Sequence, residues 1–156
     1  MERCYLSNPD VLLRIQKFQY TEGRAKGTEA FRVTNAAGLD FTVLIDRAMG
    51  IGDLFYKGER ISFLTENGVV NPAYYEPEGT NWLRSFGGGF LCTCGLDQVG
   101  EPCEGHGIHG RIDNIPAHWH CKWNDTVHTY IRGAETLQLK DMTDRFVRLA
   151  KLGRGQ

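Results

Sequence analysis

Apolar and polar positions alternate with a period of two over several short stretches set apart by glycine, a pattern of antiparallel strands rather than helices. Glu29 to Asn35 (EAFRVTN) and Asp40 to Ile45 (DFTVLI) are rich in β-branched and aromatic residues with Gly38 between them, which predicts a strand pair. Gly50 and then Lys57-Gly58-Glu59 fall at turn positions, leaving Ile51 to Tyr56 and Arg60 to Leu64 as two further strands. These connections are too short for a crossover helix, so an antiparallel meander is expected. The residues before Glu29 read as an irregular opening.

From Glu66 to Gly79 the alternation stops. Asn67-Gly68, Asn71-Pro72 and Glu76-Pro77-Glu78-Gly79 are turn chemistry around Tyr74 and Tyr75, and a loop of this length with aromatics in it points to function. Strand character returns at Phe90 to Cys94, is lost through the glycine-rich Gly95 to Gly110, and returns at Thr126 to Arg132. The tail differs. In Asp141 to Leu152, Met142, Phe146 and Leu149 recur at helical spacing, cations gather toward the end and Gly153 follows as a stop, predicting a short amphipathic helix. The expected organisation is one all-β domain over residues 1–133 and an atypical helical tail over 134–156.

Composition narrows the class of partner. The chain has 156 residues, within the usual size of one domain. Lys plus Arg number 18 against 19 Asp plus Glu, a formal charge of -1 with no basic run, which argues against nucleic acid or an anionic membrane as partner. The opening MERCYLSNPD lacks the charged-then-apolar pattern of a secretory signal, and no window approaches the roughly 20 apolar residues of a membrane helix, so a cytoplasmic location is expected. Five Cys, an odd number, then read as reduced thiols rather than a disulfide framework.

Candidate chemistry gathers between Trp82 and Cys121. Trp82 offers an apolar ring face suited to a sugar's C–H surface, and Arg84 points the same way if the stretch is extended. Gly87 to Gly89 permit close approach of backbone to a ligand or a neighbouring strand, and a bulge or tight bend is the commoner use of such a run. His109-Gly110-Arg111 pairs a residue that titrates near neutral pH with a fixed fork of donors, although a triplet this short is more often structural than catalytic. Asp46-Arg47 closes an apolar strand, where a charged pair is usually solvated or paired. Cys92, Cys94, Cys103, His106 and His109 follow the order C-x-C-x8-C-x2-H-x2-H, unlike the common paired-Cys zinc spacings, so no metal site is assigned and core or cleft-lining thiols are expected.

Asp46-Arg47, Trp82-Leu83-Arg84, Phe86 to Gly89, Thr93 to Leu96, and His109-Gly110-Arg111 with Asn114 to Ala117 together resemble the aldose 1-epimerase (galactose mutarotase-like) family, in particular its uncharacterised DUF4432-type subgroup. The likeness covers about residues 28 to 133 and departs at the turn after Arg47, where the family pattern has Gly and Asp and this chain has Ala48 and Gly50. It implies part of an antiparallel β-sandwich with a sugar cleft across one face and no cofactor. It also implies acid/base opening and reclosure of a cyclic aldose, with His109 as the catalytic candidate and Arg84, Arg111, Trp82 and Arg47 as sugar contacts. His109 resembles the earlier His that positions the sugar, whereas family members are longer and draw their principal acid, a second His, and a Glu base from regions with no counterpart after Arg132. A truncated member is therefore expected, inactive or completed by another chain, with exposed sheet edges that favour self-association. A non-catalytic carbohydrate-binding remnant and a Cys/His metal-binding module are the alternatives.

Overall fold

The computed structural model describes residues 9–134 except 95, 97, 126 and 127, with backbone alone over 118–134. The helix expected at Asp141 to Leu152 lies outside the described residues, as does the tail from 135 onward. Five antiparallel strands in sequence order make one sheet: β1 (Leu13–Gln19), β2 (Glu29–Asn35), β3 (Leu39–Leu44), β4 (Gly50–Tyr56) and β5 (Glu59–Arg60). Two-stranded pairs follow, β6 (Phe63–Leu64) with β7 (Gly88–Gly89) and β8 (His118–Asp125) with β9 (His128–Ala134). The strands are all antiparallel, and the described helices are single 3-10 turns. None of the described helices is long and apolar enough to cross a membrane.

The register puts the apolar positions on one face. Ile15 lies opposite Val33, Phe31 opposite Val43, and Val33 opposite Phe41, and directly opposed residues share a side of the sheet. Phe31, Val43, Ile45, Met49 and Ala117 form the buried cluster there, with Ile15 and Phe41 packed against it. A register shift between Phe41 and Val43 lets Ile51 oppose Val43 while Leu54 opposes Phe41. Without that bulge, residues three apart would point to opposite faces. Both Ile51 and Leu54 are buried.

Several elements differ from those the pattern predicts. The opening is a strand, β1, where Leu13 and Ile15 alternate with Arg14 and Gln16 too briefly to stand out. The strand expected at Arg60 to Leu64 is divided, because the amides of Ile61 and Ser62 both donate to the Leu54 carbonyl, at 2.9 and 3.3 Å, while Ser62 Oγ accepts from Leu54 N at 3.0 Å. That corner turns the chain off the sheet and hands Phe63–Leu64 to β7. Phe90 to Cys94 makes only a bridge from Leu91 to Ile51. The final strand runs from His128 to Ala134, and β8 before it was not anticipated.

Gly87 shows why the glycine run is needed. A Cβ there would stand 2.1 Å from the Gly68 carbonyl oxygen, and one on Gly89 would stand 2.7 Å from that of Ile51 at a φ of +117°. The run is therefore a close backbone approach that docks the 66–79 loop and β4 onto β7. Gly87→Ala is expected to lower stability by about 1–3 kcal/mol through overpacking alone, since its φ is ordinary. Urea denaturation followed by circular dichroism checks this, and a midpoint equal to that of the parent would contradict the close approach.

Candidate functional site

Ile112–Asn114 form a single 3-10 turn that carries a carboxylate inward: Asp113 is only 1 % exposed. Four donors meet it. Arg47 Nη2 and Cys92 Sγ reach Oδ2 at 2.7 and 3.5 Å, and Trp82 Nε1 and Asn114 Nδ2 reach Oδ1 at 2.9 and 2.5 Å. Arg47 Nη1 also donates to the carbonyls of Val70 and Ser85, both at 3.2 Å. One buried ion pair thus ties the end of the β3 segment to the 66–79 loop, the turn at Asn81–Arg84 and the Ile112–Asn114 turn.

The backbone around this pair is strained. Ala48 and Met49, directly after Arg47, have φ of 48° and 60°, and His109 has φ of 61°. A non-glycine residue in this region costs roughly 1–2 kcal/mol, and such residues gather where surrounding contacts over-determine them. Ala48 occupies the place where the family pattern has Gly. Its amide donates to the Ile115 carbonyl at 3.2 Å, and the Ala117 amide returns a bond to Ile45 at 3.0 Å.

The expected site residues divide into two groups. Trp82 and His109 come together, with ring centroids 4.8 Å apart in an edge contact, while Phe86 stacks on the indole at 4.6 Å. Trp82 is 4 % exposed, so its ring is a packed support rather than an open platform for a sugar. Trp82 and Arg84 do not share a face, because Asn81–Arg84 is a 3-10 turn and not an extended stretch. Arg84 is exposed and pairs with Glu76 at 2.9 Å. Arg111 is also exposed. Arg47 is buried, with its guanidinium engaged by Asp113 and two carbonyls.

His109 is half-buried, and its Nδ1 accepts from the Gly100 amide at 3.2 Å while its own amide donates to the Gly100 carbonyl at 3.1 Å. A backbone amide can only donate, so the hydrogen of the neutral ring sits on Nε2. Asp113, the centre of the network, was not a candidate from sequence. Its signal was a single carboxylate between Ile112 and Ile115 in a run with no alternation to mark it as buried.

A cavity of about 60 Å³ is bordered by Asp113 and Arg47, by the glycines 87–89, and by apolar side chains that include Ile51, Val70 and Phe86. This is well below the roughly 300 Å³ at which small-molecule pockets begin. Burial, then the Asp113 charge, push the Cys92 thiol far above the usual range, with Arg47 opposing; burial and Asp113 also raise Cys94. Among the described residues no three His, Cys, Asp or Glu side chains are grouped to hold a metal ion.

The fold is that of aldose 1-epimerase-like β-sandwich proteins. A solved structure of a candidate aldose 1-epimerase from Klebsiella pneumoniae subsp. pneumoniae matches with a TM-score of 0.69 at 24 % identity, covering 81 % of this chain and 36 % of that one. At that identity the likeness is one of fold, and the chain spans little more than a third of that protein's length. Residues 25–140 match the family model described as "Domain of unknown function (DUF4432)", and the chain belongs to that family. No curated protein matches.

Two outcomes follow from the Asp113 centre. Arg47→Met leaves a buried carboxylate without its counter-charge and is expected to cost about 3–5 kcal/mol in chemical denaturation, with part of the loss recovered by adding Asp113→Asn. In the native protein at about pH 8, iodoacetamide is expected to label the exposed Cys103 and to leave Cys92 unmodified until denaturant is added, as read by peptide mass spectrometry. Equal labelling of both would contradict the half-buried, protonated thiol.

Proposed function

We propose that this chain contributes one side of a carbohydrate-binding, aldose 1-epimerase-like site in which His109 Nε2–H is a positioned donor to the sugar. The observation that carries the reading is the Gly100 amide on His109 Nδ1, which leaves Nε2–H as a fixed donor on a half-buried ring braced by Trp82. Mutarotation removes the anomeric hydroxyl proton while the ring oxygen gains one, then recloses the ring on the other face, so it needs an acid and a base. In this reading His109 Nε2–H holds a sugar oxygen by a hydrogen bond and steadies the charge that develops there. The family pattern takes the principal acid from a later His and the base from a Glu, so the described residues supply the side that positions the sugar. Arg84 and Arg111, both exposed, are the donors we assign to sugar hydroxyls, with Trp82 acting through the imidazole it braces and Arg47 through Asp113.

His109→Asn tests this without disturbing the fold. Asn tolerates the left-handed backbone, and its Oδ1 stands in for Nδ1 as the acceptor for Gly100. Titrating isotope-labelled protein with a panel of aldoses is expected to give saturable amide shifts at 109–111, weakened about tenfold in the variant. Anomer exchange by NMR is expected to slow by about 10²–10³ when that donor is lost. Binding with no acceleration of exchange in the parent protein would favour carbohydrate binding without catalysis. No shift with any aldose would sink both.

A further inference from the structure

Tyr75 joins the long 66–79 loop to the segment that carries His109. Its hydroxyl donates to the Gly110 carbonyl at 3.0 Å. Gly110 is buried, and a buried carbonyl needs a donor, so the phenol meets a requirement of the backbone there. Two further contacts run beside it. The Ile108 amide donates to the Gly79 carbonyl at 2.9 Å, and a Cβ on Gly107 would stand 2.2 Å from the Pro77 carbonyl oxygen. The phenol is itself held from behind: Asn71 caps the Pro72–Tyr74 turn by accepting from Ala73 N at 2.9 Å, and its Nδ2 donates to the Lys26 carbonyl at 3.0 Å. A run of fixed contacts therefore leads from the loop before β2 to the peptide that follows Gly110.

That peptide bears on the imidazole because His109 and Gly110 are both left-handed, with φ of 61° and 66°. Glycine adopts this conformation freely and histidine does not, so His109 stays there only where its surroundings hold it. Gly100 holds its amide and Nδ1, and Trp82 holds the ring. The 110–111 peptide, on the other side of the turn, is the one Tyr75 holds. We propose that Tyr75 is a positioning residue for the His109 donor: its hydroxyl, through the Gly110 carbonyl, keeps the left-handed turn from relaxing and so keeps Nε2–H in one direction. What His109 donates to rests on the carbohydrate-binding reading; how it is held does not. The two aromatics of the loop then have different places, since Tyr74 is 52 % exposed with the Arg24 guanidinium over its ring.

The test uses the whole chain labelled with ¹⁵N. Long-range ¹H–¹⁵N spectra at about pH 8.5, where an imidazole is neutral, report which ring nitrogen carries the hydrogen, and no sugar is needed. In the parent, His109 is expected to be a single Nε2–H tautomer. Tyr75→Phe keeps the ring and removes the hydroxyl. It is expected to move the two ring-nitrogen signals toward each other as the tautomers mix, and to weaken aldose binding about threefold to tenfold. Tyr74→Phe is expected to leave both unchanged. Ring-nitrogen signals unaltered in Tyr75→Phe, or moved as far by Tyr74→Phe, overturn the assignment. So does a lower urea midpoint with unaltered signals, the mark of a merely structural role. If Tyr75→Phe does not fold, nuclear Overhauser contacts between the Tyr75 ring and the 110–111 backbone of the parent support the hold, and their absence overturns it. Moved imidazole signals with no aldose binding in the parent would remove the carbohydrate reading and leave the hold of Tyr75 on His109 standing.

Discussion

A single buried carboxylate organises this half of the molecule. Asp113 accepts from a guanidinium, an indole, an amide and a thiol, each on a different segment, and none of those segments is held to the others by a continuous ladder. Burying such a pair is expensive in desolvation and is returned only when the carboxylate's lone pairs are matched, and both oxygens of Asp113 have two donors each. The network therefore contributes specificity of arrangement more than net stability. It determines where the Asn81–Arg84 turn sits against the sheet, hence where Trp82 braces His109. It also borders the small cavity beside glycines 87–89.

The same centre explains how strained backbone is tolerated. Ala48 and Met49 are both buried and both left-handed, and local preference alone would send the chain elsewhere after Arg47. With Arg47 held at 2.7 Å from Asp113 and Ala48 N bonded to Ile115, the turn has little freedom to relax. Asp46 adds a third restraint by accepting from Glu29 N at 2.7 Å, which fixes the start of β2 relative to the same turn. Three consecutive residues, Asp46, Arg47 and Ala48, thus reach the start of β2, the 66–79 loop, Ser85 and the 113–115 stretch.

What was legible in the sequence follows from how far each signal reaches. Glu29 to Asn35 was read with its observed bounds, and the neighbouring strands at 40–45 and 51–56 fell within one residue, because alternation and glycine turns are local. The long 66–79 loop was equally plain from its Asn, Pro and Gly. The shape of the stretch at 81–84 was not, since its 3-10 turn depends on an indole drawn to a carboxylate 31 residues away. Phe90 to Cys94 has strand composition, yet after Leu91 the chain bends to bury Thr93 and bring Cys92 against Asp113, and leaves the sheet. The motif residues clustered in sequence, but their division into buried supports and exposed donors depended on pairings no spacing reveals.

Trp82 links the two halves of the site and shows why an aromatic near an arginine is ambiguous evidence for sugar binding. A stacking platform needs an open ring face. Here one contact is taken by Phe86 and another by the edge of His109, while the indole N–H is committed to Asp113. The ring therefore acts at one remove: it fixes the imidazole from one side while Gly100 fixes it from the other through Nδ1. Both restraints act on the ring rather than on its Nε2. A histidine so held keeps one tautomer and one orientation at little entropic cost on binding, which is the condition a hydrogen-bond donor to a ligand oxygen has to meet.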